Sequence, residues 1–318
     1  NPALTPGGSS GGAVALVAAG GCPLALVQDG GGSIRRPASH TNLVGLKPSR
    51  HRVPRIGGMP KLYLDYEVLG PVARCVDDVA AVLQVIGSRP LQEPPPRPAR
   101  ILYIPRFAEH PVDPQIAALT DAAAANFTAL GHRVETAPRF DLAEAINEHW
   151  TLLPQVGLAW LLEHPRELSE QAFEESLLGP AMQANAQSGR AASARTLFAL
   201  LIEIERLRSE IDRLFEHYDF LLTPAAAALP WPADQTHPPR IAGHDVGPRG
   251  HAVFTAFANA AGLPGIALPC GWADAEGPTP GRVPVGLQLV ARQGNDDALF
   301  APARAYERAH PWLRFPEL

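Results

Sequence analysis

The sequence predicts an α/β fold, because apolar segments of strand length alternate with longer segments of helical pattern along its 318 residues. Near the start, the alanine-rich run 13–19 is typical of a buried helix, and the run 23–27 behind two glycines is typical of a buried strand. Further on, strand patterns at 101–104 and 133–135 flank a helical pattern at 114–130. This order predicts a βαβ unit within one sheet.

The other elements follow from the same patterns, taken in chain order. The segment 35–57 is rich in Pro, Gly and Arg and predicts irregular backbone. The proline run 94–96 is typical of a connector and is the candidate internal boundary. The remaining predicted elements are helices at 75–86, 195–214 and 296–310 and strands at 220–223, 265–269 and 285–290.

Composition and charge argue against several classes of protein. A net charge of −5 does not favour binding to nucleic acid or to an anionic membrane. No apolar run approaches the roughly 20 residues that a membrane-spanning helix needs, and the start shows no signal-peptide pattern. Cys22, Cys75 and Cys270 form no C-x-x-C pair, so we expect neither disulfides nor a metal site, and a cytoplasmic protein.

Two glycine-rich runs carry the candidate chemistry. Ser9 lies within the first, and Ser33 directly follows Gly30, Gly31 and Gly32 in the second. A serine among glycines suits a nucleophile, because glycine adopts backbone conformations closed to other residues and leaves amide N–H groups open to an oxyanion. The first run is also typical of a flexible linker, but the helix and strand patterns directly behind it favour a folded site.

These residues, together with residues 45–49, resemble the amidase signature family of serine hydrolases. Ser9 and Ser33 are 24 positions apart, as the two catalytic serines of that family are. The resemblance covers nearly the whole chain, because it continues through residues 69–78, 221–224, 260–269 and 284–290.

The resemblance implies an αβα sandwich, in which helices cover both faces of a mixed central β-sheet. It also implies a catalytic triad of serine, serine and lysine. Ser33 would attack the amide carbonyl, and Ser9, held by a cis peptide bond after Gly8, would relay its proton. The lysine would act as the base toward Ser9.

The same resemblance implies supporting roles around the two serines. The backbone amides of the three glycines before Ser33 would form the oxyanion hole. Ser10, Asp29 and Arg35 would hold the loops of the two serines in place without reacting themselves. We expect a buried ion pair between Asp29 and Arg35 to tie down the loop that carries Ser33.

The lysine of the family pattern lies upstream of the first serine run, and no lysine precedes Ser9 in this sequence. The lysines of the chain are Lys47 and Lys61, and Lys47 occupies a different, structural position in the family motif. We therefore expect residues 1–318 to be an N-terminally truncated amidase signature domain whose lysine lies on a missing N-terminal segment. General-base assistance supplies about 10²–10⁴-fold in rate, so we expect this chain alone to be nearly inactive.

Arg36 is the candidate substrate-binding residue. It lies three positions after Ser33, so a helical turn there would project both side chains to the same side. A guanidinium group in that place would bind the carboxylate of a small acid amide through two hydrogen bonds. The competing interpretation is a surface arginine.

Residues 140–217 are almost wholly helical in pattern and resemble the family least. In the family this variable region builds the acyl-binding pocket, so several of its large apolar residues are candidates for the pocket wall. These candidates are Trp150, Trp160, Leu161 and Met182, although residues of this kind are more often part of the core. The apolar stripe along 195–214 favours a core face or a homodimer face.

The resemblance implies an amidohydrolase that forms an acyl-enzyme on Ser33 from a small-molecule amide and needs no cofactor. One alternative is the glutaminase (A) subunit of a tRNA-dependent amidotransferase, which would pass ammonia to a partner. Another is an inactive fragment or a non-catalytic amidase-like protein. A Ser-His-Asp site with His251 or His40 as base also stays open, although no G-x-S-x-G motif surrounds Ser33.

Overall fold

The chain folds around a mixed β-sheet, and the computed structural model describes residues 1–57, 61–137, 139–167, 175–275 and 281–313. The strands are β1 Leu24–Asp29, β2 Val44–Lys47, β3 Val68–Ala73, β4 Arg100–Tyr103, β5 Arg133–Thr136, β6 Phe220–Pro224, β7 Arg240–Ile241, β8 His244–Asp245, β9 Gly265–Ala275 and β10 Gly281–Ala291. The helices are α1 Gly11–Ala18, α2 Arg35–His40, α3 Val76–Ile86, α4 Pro114–Ala129, α5 Glu144–His149, α6 Leu152–Glu163, α7 Pro180–Ala191, α8 Ala194–His217, α9 Ala256–Ala260 and α10 Phe300–Ala309.

The main sheet has the strand order β1-β3-β2-β9-β10-β6-β4-β5. Strand β4 runs parallel to β5 and β6, as the predicted βαβ unit requires. The other pairs are antiparallel, from β1 at one edge to the β10–β6 pair. Strands β7 and β8 pair separately. The strands that flank the proline run 94–96, β3 and β4, belong to this one sheet.

Helices cover both faces of this sheet. Successive side chains of a strand point to opposite faces, so neighbouring residues divide between two cores. Leu222 and Ile266 pack with α3, α4 and α10 on one face, whereas Leu221 and Ala267 pack on the other with helices that include α1, α2, α8 and α9. The predicted αβα sandwich with a mixed sheet is therefore confirmed.

The prediction of irregular backbone over 35–57 was wrong for its first half, which contains α2 and β2. Every residue of both elements is buried. Pro37 lies in the first turn of α2, where a missing N–H breaks no helical hydrogen bond. Gly45 lets the helix approach β2, since a Cβ there would lie 2.8 Å from Ala38 and Ile34 side chains. Tertiary packing thus overrides the local Pro and Gly signal.

The region 140–217 contains α5 to α8 as predicted, with residues 168–174 outside the described ranges. The stripe along α8 packs in the core of the same chain through Leu200, Ile204, Leu207 and Ile211, which favours the core interpretation over a dimer face. None of the helices within the described residues is both long and apolar enough to span a lipid bilayer.

Candidate active site

The two serines predicted to be catalytic lie side by side. Ser9 precedes α1 in the chain, and Ser33 lies on the loop between β1 and α2. Their hydroxyl groups are hydrogen-bonded, with 3.2 Å between the two Oγ atoms. The peptide bond between Gly8 and Ser9 is cis, as the resemblance implies. Ser10 Oγ donates a hydrogen bond to the carbonyl oxygen of Gln28 at 3.1 Å, which joins the first serine loop to β1.

Asp29, the last residue of β1, holds the loop of Ser33 in place. Its carboxylate accepts hydrogen bonds from the backbone N–H groups of Gly32 at 2.6 Å and Ile34 at 3.1 Å. Arg35 donates two more, each at 3.0 Å. Both side chains are fully buried, so the predicted ion pair is present. Burial would raise the pKa of Asp29, but the charge and hydrogen bonds of Arg35 hold that pKa well below its usual range.

Sequence reasoning missed three buried residues that complete this support. The guanidinium group of Arg35 also donates to the Thr255 carbonyl at 3.0 Å, to Gln288 Oε1 at 2.9 Å and to Asn259 Oδ1 at 2.6 Å. Together with the bonds to Asp29, these contacts use all five of its N–H groups. A signal was available for Gln288, the one polar residue in the apolar run 285–290, because a buried polar side chain requires a partner.

The three glycines before Ser33 differ in what their backbone allows. The N–H of Gly32 donates to Asp29, so it is committed to holding the loop and is not free for an oxyanion. Gly30 and Gly31 have amides without an acceptor in the described part of the chain. Gly32 has φ of +116°, and a Cβ there would lie 2.3 Å from Thr255 Oγ1, so glycine is required.

A cavity of about 380 Å³ opens over the two serines. One wall is aromatic, since Tyr63 packs on Gly30 and Trp150 packs directly on Gly31. Trp150 therefore lines the cavity, as the sequence suggested. The other three wall candidates do not line it: Trp160 and Met182 are exposed on the surface and Leu161 is buried in α6.

Arg36 also lines this cavity, and its side chain is only 5% exposed. The interpretation as a surface arginine was therefore wrong. The expected helical turn is present, because the Arg36 N–H donates to the Gly32 carbonyl at 3.0 Å. The guanidinium group donates to the carbonyl oxygens of Gly32 at 3.4 Å and Gly8 at 3.2 Å, and to His251 Nε2 at 3.0 Å. Burial lowers the pKa of Arg36 to about 9, and the charge of Arg249 adds to this effect.

No basic side chain in the described ranges hydrogen-bonds either serine. His251 is engaged with the cavity arginine of α2, and the ring of His40 contacts the Ala228 carbonyl at 3.3 Å. Burial lowers the pKa of both imidazoles, that of His40 to about 4. Lys47 is fully buried in β2, where its Nζ donates to the Pro48 carbonyl at 2.9 Å. The alternative site with a histidine base thus lacks its serine–histidine contact.

We expect Asp29→Asn to lower the free energy of unfolding by about 3–5 kcal/mol, because it leaves the charge of Arg35 buried without a counterion. Urea unfolding followed by circular dichroism measures the change. The matched control is Asp245→Asn, which removes an exposed partner of Arg240 and should change the stability little. Equal stabilities for the two variants would contradict the supporting role of Asp29.

Comparison with known proteins gives matches that cover nearly the whole chain. The family model for Amidase matches residues 1–300. The A subunit of the glutamyl-tRNA(Gln) amidotransferase of Synechococcus sp. is 34% identical over 97% of this chain and 68% of its own length. The protein of the same name from Thermus thermophilus is 30% identical over 97% of this chain and 69% of its own length.

Solved structures with the same fold include a member of the amidase signature family. A bacterial aryl acylamidase of the amidase signature family is 27% identical with a TM-score of 0.84, covering 98% of this chain and 67% of its own. A 6-aminohexanoate cyclic dimer hydrolase, also 27% identical, has a TM-score of 0.82 and covers 98% of this chain and 70% of its own. The chain thus spans about two thirds of the length of these relatives. The chain belongs to the amidase signature family.

Proposed function

We propose that this chain carries the acylation site of an amidohydrolase with Ser33 as the nucleophile and Ser9 as the proton relay. The observation that carries the proposal is the 3.2 Å contact between the two hydroxyl groups in the cavity beside the unengaged amides of Gly30 and Gly31. A hydroxyl both donates and accepts. Ser9 can therefore accept the proton of Ser33 while it donates its own to a base.

The chemistry divides into two acyl transfers. Ser33 Oγ attacks the amide carbonyl carbon while its proton passes to Ser9, and the carbonyl oxygen becomes an oxyanion near the Gly30 and Gly31 amides. The C–N bond then breaks as the leaving nitrogen takes a proton back along the same path. Water attacks the resulting ester on Ser33 and releases the acid. The mechanism needs a base for Ser9, and no side chain in the described ranges contacts Ser9 in that role.

We assign Arg36 to the acyl portion of the substrate. Each of its three nitrogen atoms makes one contact with the protein, which leaves two of its five N–H groups without an acceptor among the described residues. Its place on the first turn of α2 puts it in the same cavity as Ser33. These N–H groups would bind a carboxylate or another polar group of a short acyl chain.

Hydroxylamine partitioning, measured on protein that supplies the base for Ser9, tests the acyl-enzyme. An amide and an ester with the same acyl group should give the same ratio of hydroxamate to free acid, because both pass through one ester on Ser33. The products are separated and quantified at several hydroxylamine concentrations. Ratios that depend on the leaving group would mean that water attacks the substrate directly, which would overturn the covalent mechanism.

The second candidate is a glutaminase component of an amidotransferase, and the observation that favours it is the name of the curated relatives with 30–34% identity. This alternative keeps Ser33 and Ser9 in the same roles but adds a protein partner that uses the ammonia. Glutamine hydrolysis that accelerates when a co-purifying partner with an ATP site is added would support it. Cys22, Cys75 and Cys270 are unpaired, and we propose a reducing, cytoplasmic location in either case.

A further inference from the structure

A second arginine, Arg249, lines the cavity that holds the two serines. Its Cζ lies 5.3 Å from the centroid of the Trp150 ring, and Trp150 packs directly on Gly31. Stacking on an aromatic face orients a guanidinium group while leaving its N–H edge available. Within the described part of the chain, the guanidinium group of Arg249 has neither a hydrogen bond nor an ion pair. A pre-oriented cation next to the site thus lacks an acceptor.

The charges that line the cavity do not balance. Arg36 and Arg249 both lie in the lining, and neither has a carboxylate partner among the described residues. Glu67 also lines the cavity, but it forms an ion pair with Arg55 at 2.5 Å. Burial lowers the pKa of Arg249 only to about 10, so the group stays charged at neutral pH. Two partly desolvated cations without counterions favour an anionic ligand.

The two arginines differ in what else they do. Arg36 donates to the carbonyl oxygens of Gly8 and Gly32, the residues that directly precede Ser9 and Ser33. It therefore joins the two serine loops, and a change at Arg36 would disturb the catalytic geometry as well as binding. Arg249 makes no such contact, so its guanidinium group is available to a ligand without cost to the serine loops.

We propose that Arg249 binds a carboxylate on the acyl portion of the substrate, so that the preferred substrates are half-amides of short dicarboxylic acids. This inference deepens the amidohydrolase function proposed above and rests on it for the reaction. A cavity of about 380 Å³ suits a small molecule of this kind. The guanidinium group of Arg249 would donate two hydrogen bonds to the carboxylate. The N–H groups of Arg36 that have no acceptor would add positive charge at the same end of the cavity.

Binding calorimetry on the Ser33→Ala background, which cannot turn over, tests the anion site directly. Succinamate is the charged probe and butyramide, of similar size, is the neutral one. We expect Arg249→Gln to weaken succinamate binding by about 10- to 100-fold, since a hydrogen-bonded charge is lost, and to change butyramide binding less than about twofold. Arg249→Lys keeps the charge but loses the planar guanidinium group. Its affinity for succinamate should therefore lie between that of the protein with Arg249 and that of Arg249→Gln.

Arg240→Gln is the matched control, because Arg240 is an exposed arginine at the start of β7 that pairs with Asp245 and does not line the cavity. It should leave succinamate binding unchanged. Equal losses for succinamate and butyramide in Arg249→Gln would overturn the proposal, since Arg249 would then only shape the cavity. Succinamate binding that depends on Arg249 would support the anion site even if hydroxylamine partitioning disproved the acyl-enzyme, so the two proposals fail separately.

Discussion

In protein that supplies the base for Ser9, Ser33→Ala is expected to abolish both turnover and covalent labelling by a fluorophosphonate probe. The substitution removes the Oγ atom that we propose attacks the carbonyl, which contacts Ser9 and follows the Gly30 and Gly31 amides that have no acceptor among the described residues. The fold should survive, because the Ser33 side chain contributes one hydrogen bond, to Ser9, at the wall of an open cavity. Mass spectrometry of the labelled protein and a turnover assay measure the two effects.

The matched control for this experiment is Ser188→Ala. Ser188 is exposed on α7, and its hydroxyl donates to the Ala184 carbonyl of the same helix. This variant should keep the labelling and the rate of the unmodified protein. Labelling that persists in Ser33→Ala would place the nucleophile on another residue and would overturn the proposed mechanism.

The residues of the site that could be predicted from the sequence are those that lie close together in the chain. Ser33 and its supporting Asp29 and Arg35 lie within seven positions, so the glycine-rich context and the opposite charges were visible together. Arg36 could be placed near Ser33 from helical spacing alone, because the turn of α2 is local. Local geometry of this kind follows from elementary backbone rules.

The rest of the site depends on the topology of the sheet. Arg35 reaches Thr255, Asn259 and Gln288 across 220, 224 and 253 positions of sequence. These contacts exist because β2 pairs with β9, and β9 pairs with β10. The order of strands cannot be read from the periodicity of a single sequence, so these partners had no positional signal.

The position of Arg249 in the cavity could likewise not be predicted from the sequence. It lies on the segment between β8 and α9, where no regular pattern marks it as buried or exposed. Its importance arises from a stack on Trp150, which is 99 positions away in the variable region. The sequence identified Trp150 as a wall candidate but could not separate it from Trp160, because both are large apolar residues in helical patterns.

In protein that supplies the base for Ser9, Ser9→Ala is expected to lower the turnover number by about 10²–10⁴-fold, the range that general acid–base assistance supplies. The side chain of Ser9 bonds Ser33 and no other group in the described structure, so the free energy of unfolding should stay nearly unchanged. Fluorophosphonate labelling should slow but should still map to Ser33, because the nucleophile remains while its proton acceptor is lost. Slower turnover with labelling that still maps to Ser33 would show that Ser9 relays the proton and is not the nucleophile.

The neighbouring serine provides the comparison for Ser9. Ser10→Ala removes a hydroxyl of the same loop whose hydrogen bond goes to the Gln28 carbonyl instead of to Ser33. We expect a smaller loss of rate, less than about tenfold, since a neutral hydrogen bond contributes about 0.5–1.5 kcal/mol. If both variants lose the same small factor, Ser9 only supports the loop, and the proton of Ser33 must leave by another path. A loss confined to Ser9→Ala would instead mean that the 3.2 Å contact between the two hydroxyl groups carries the proton.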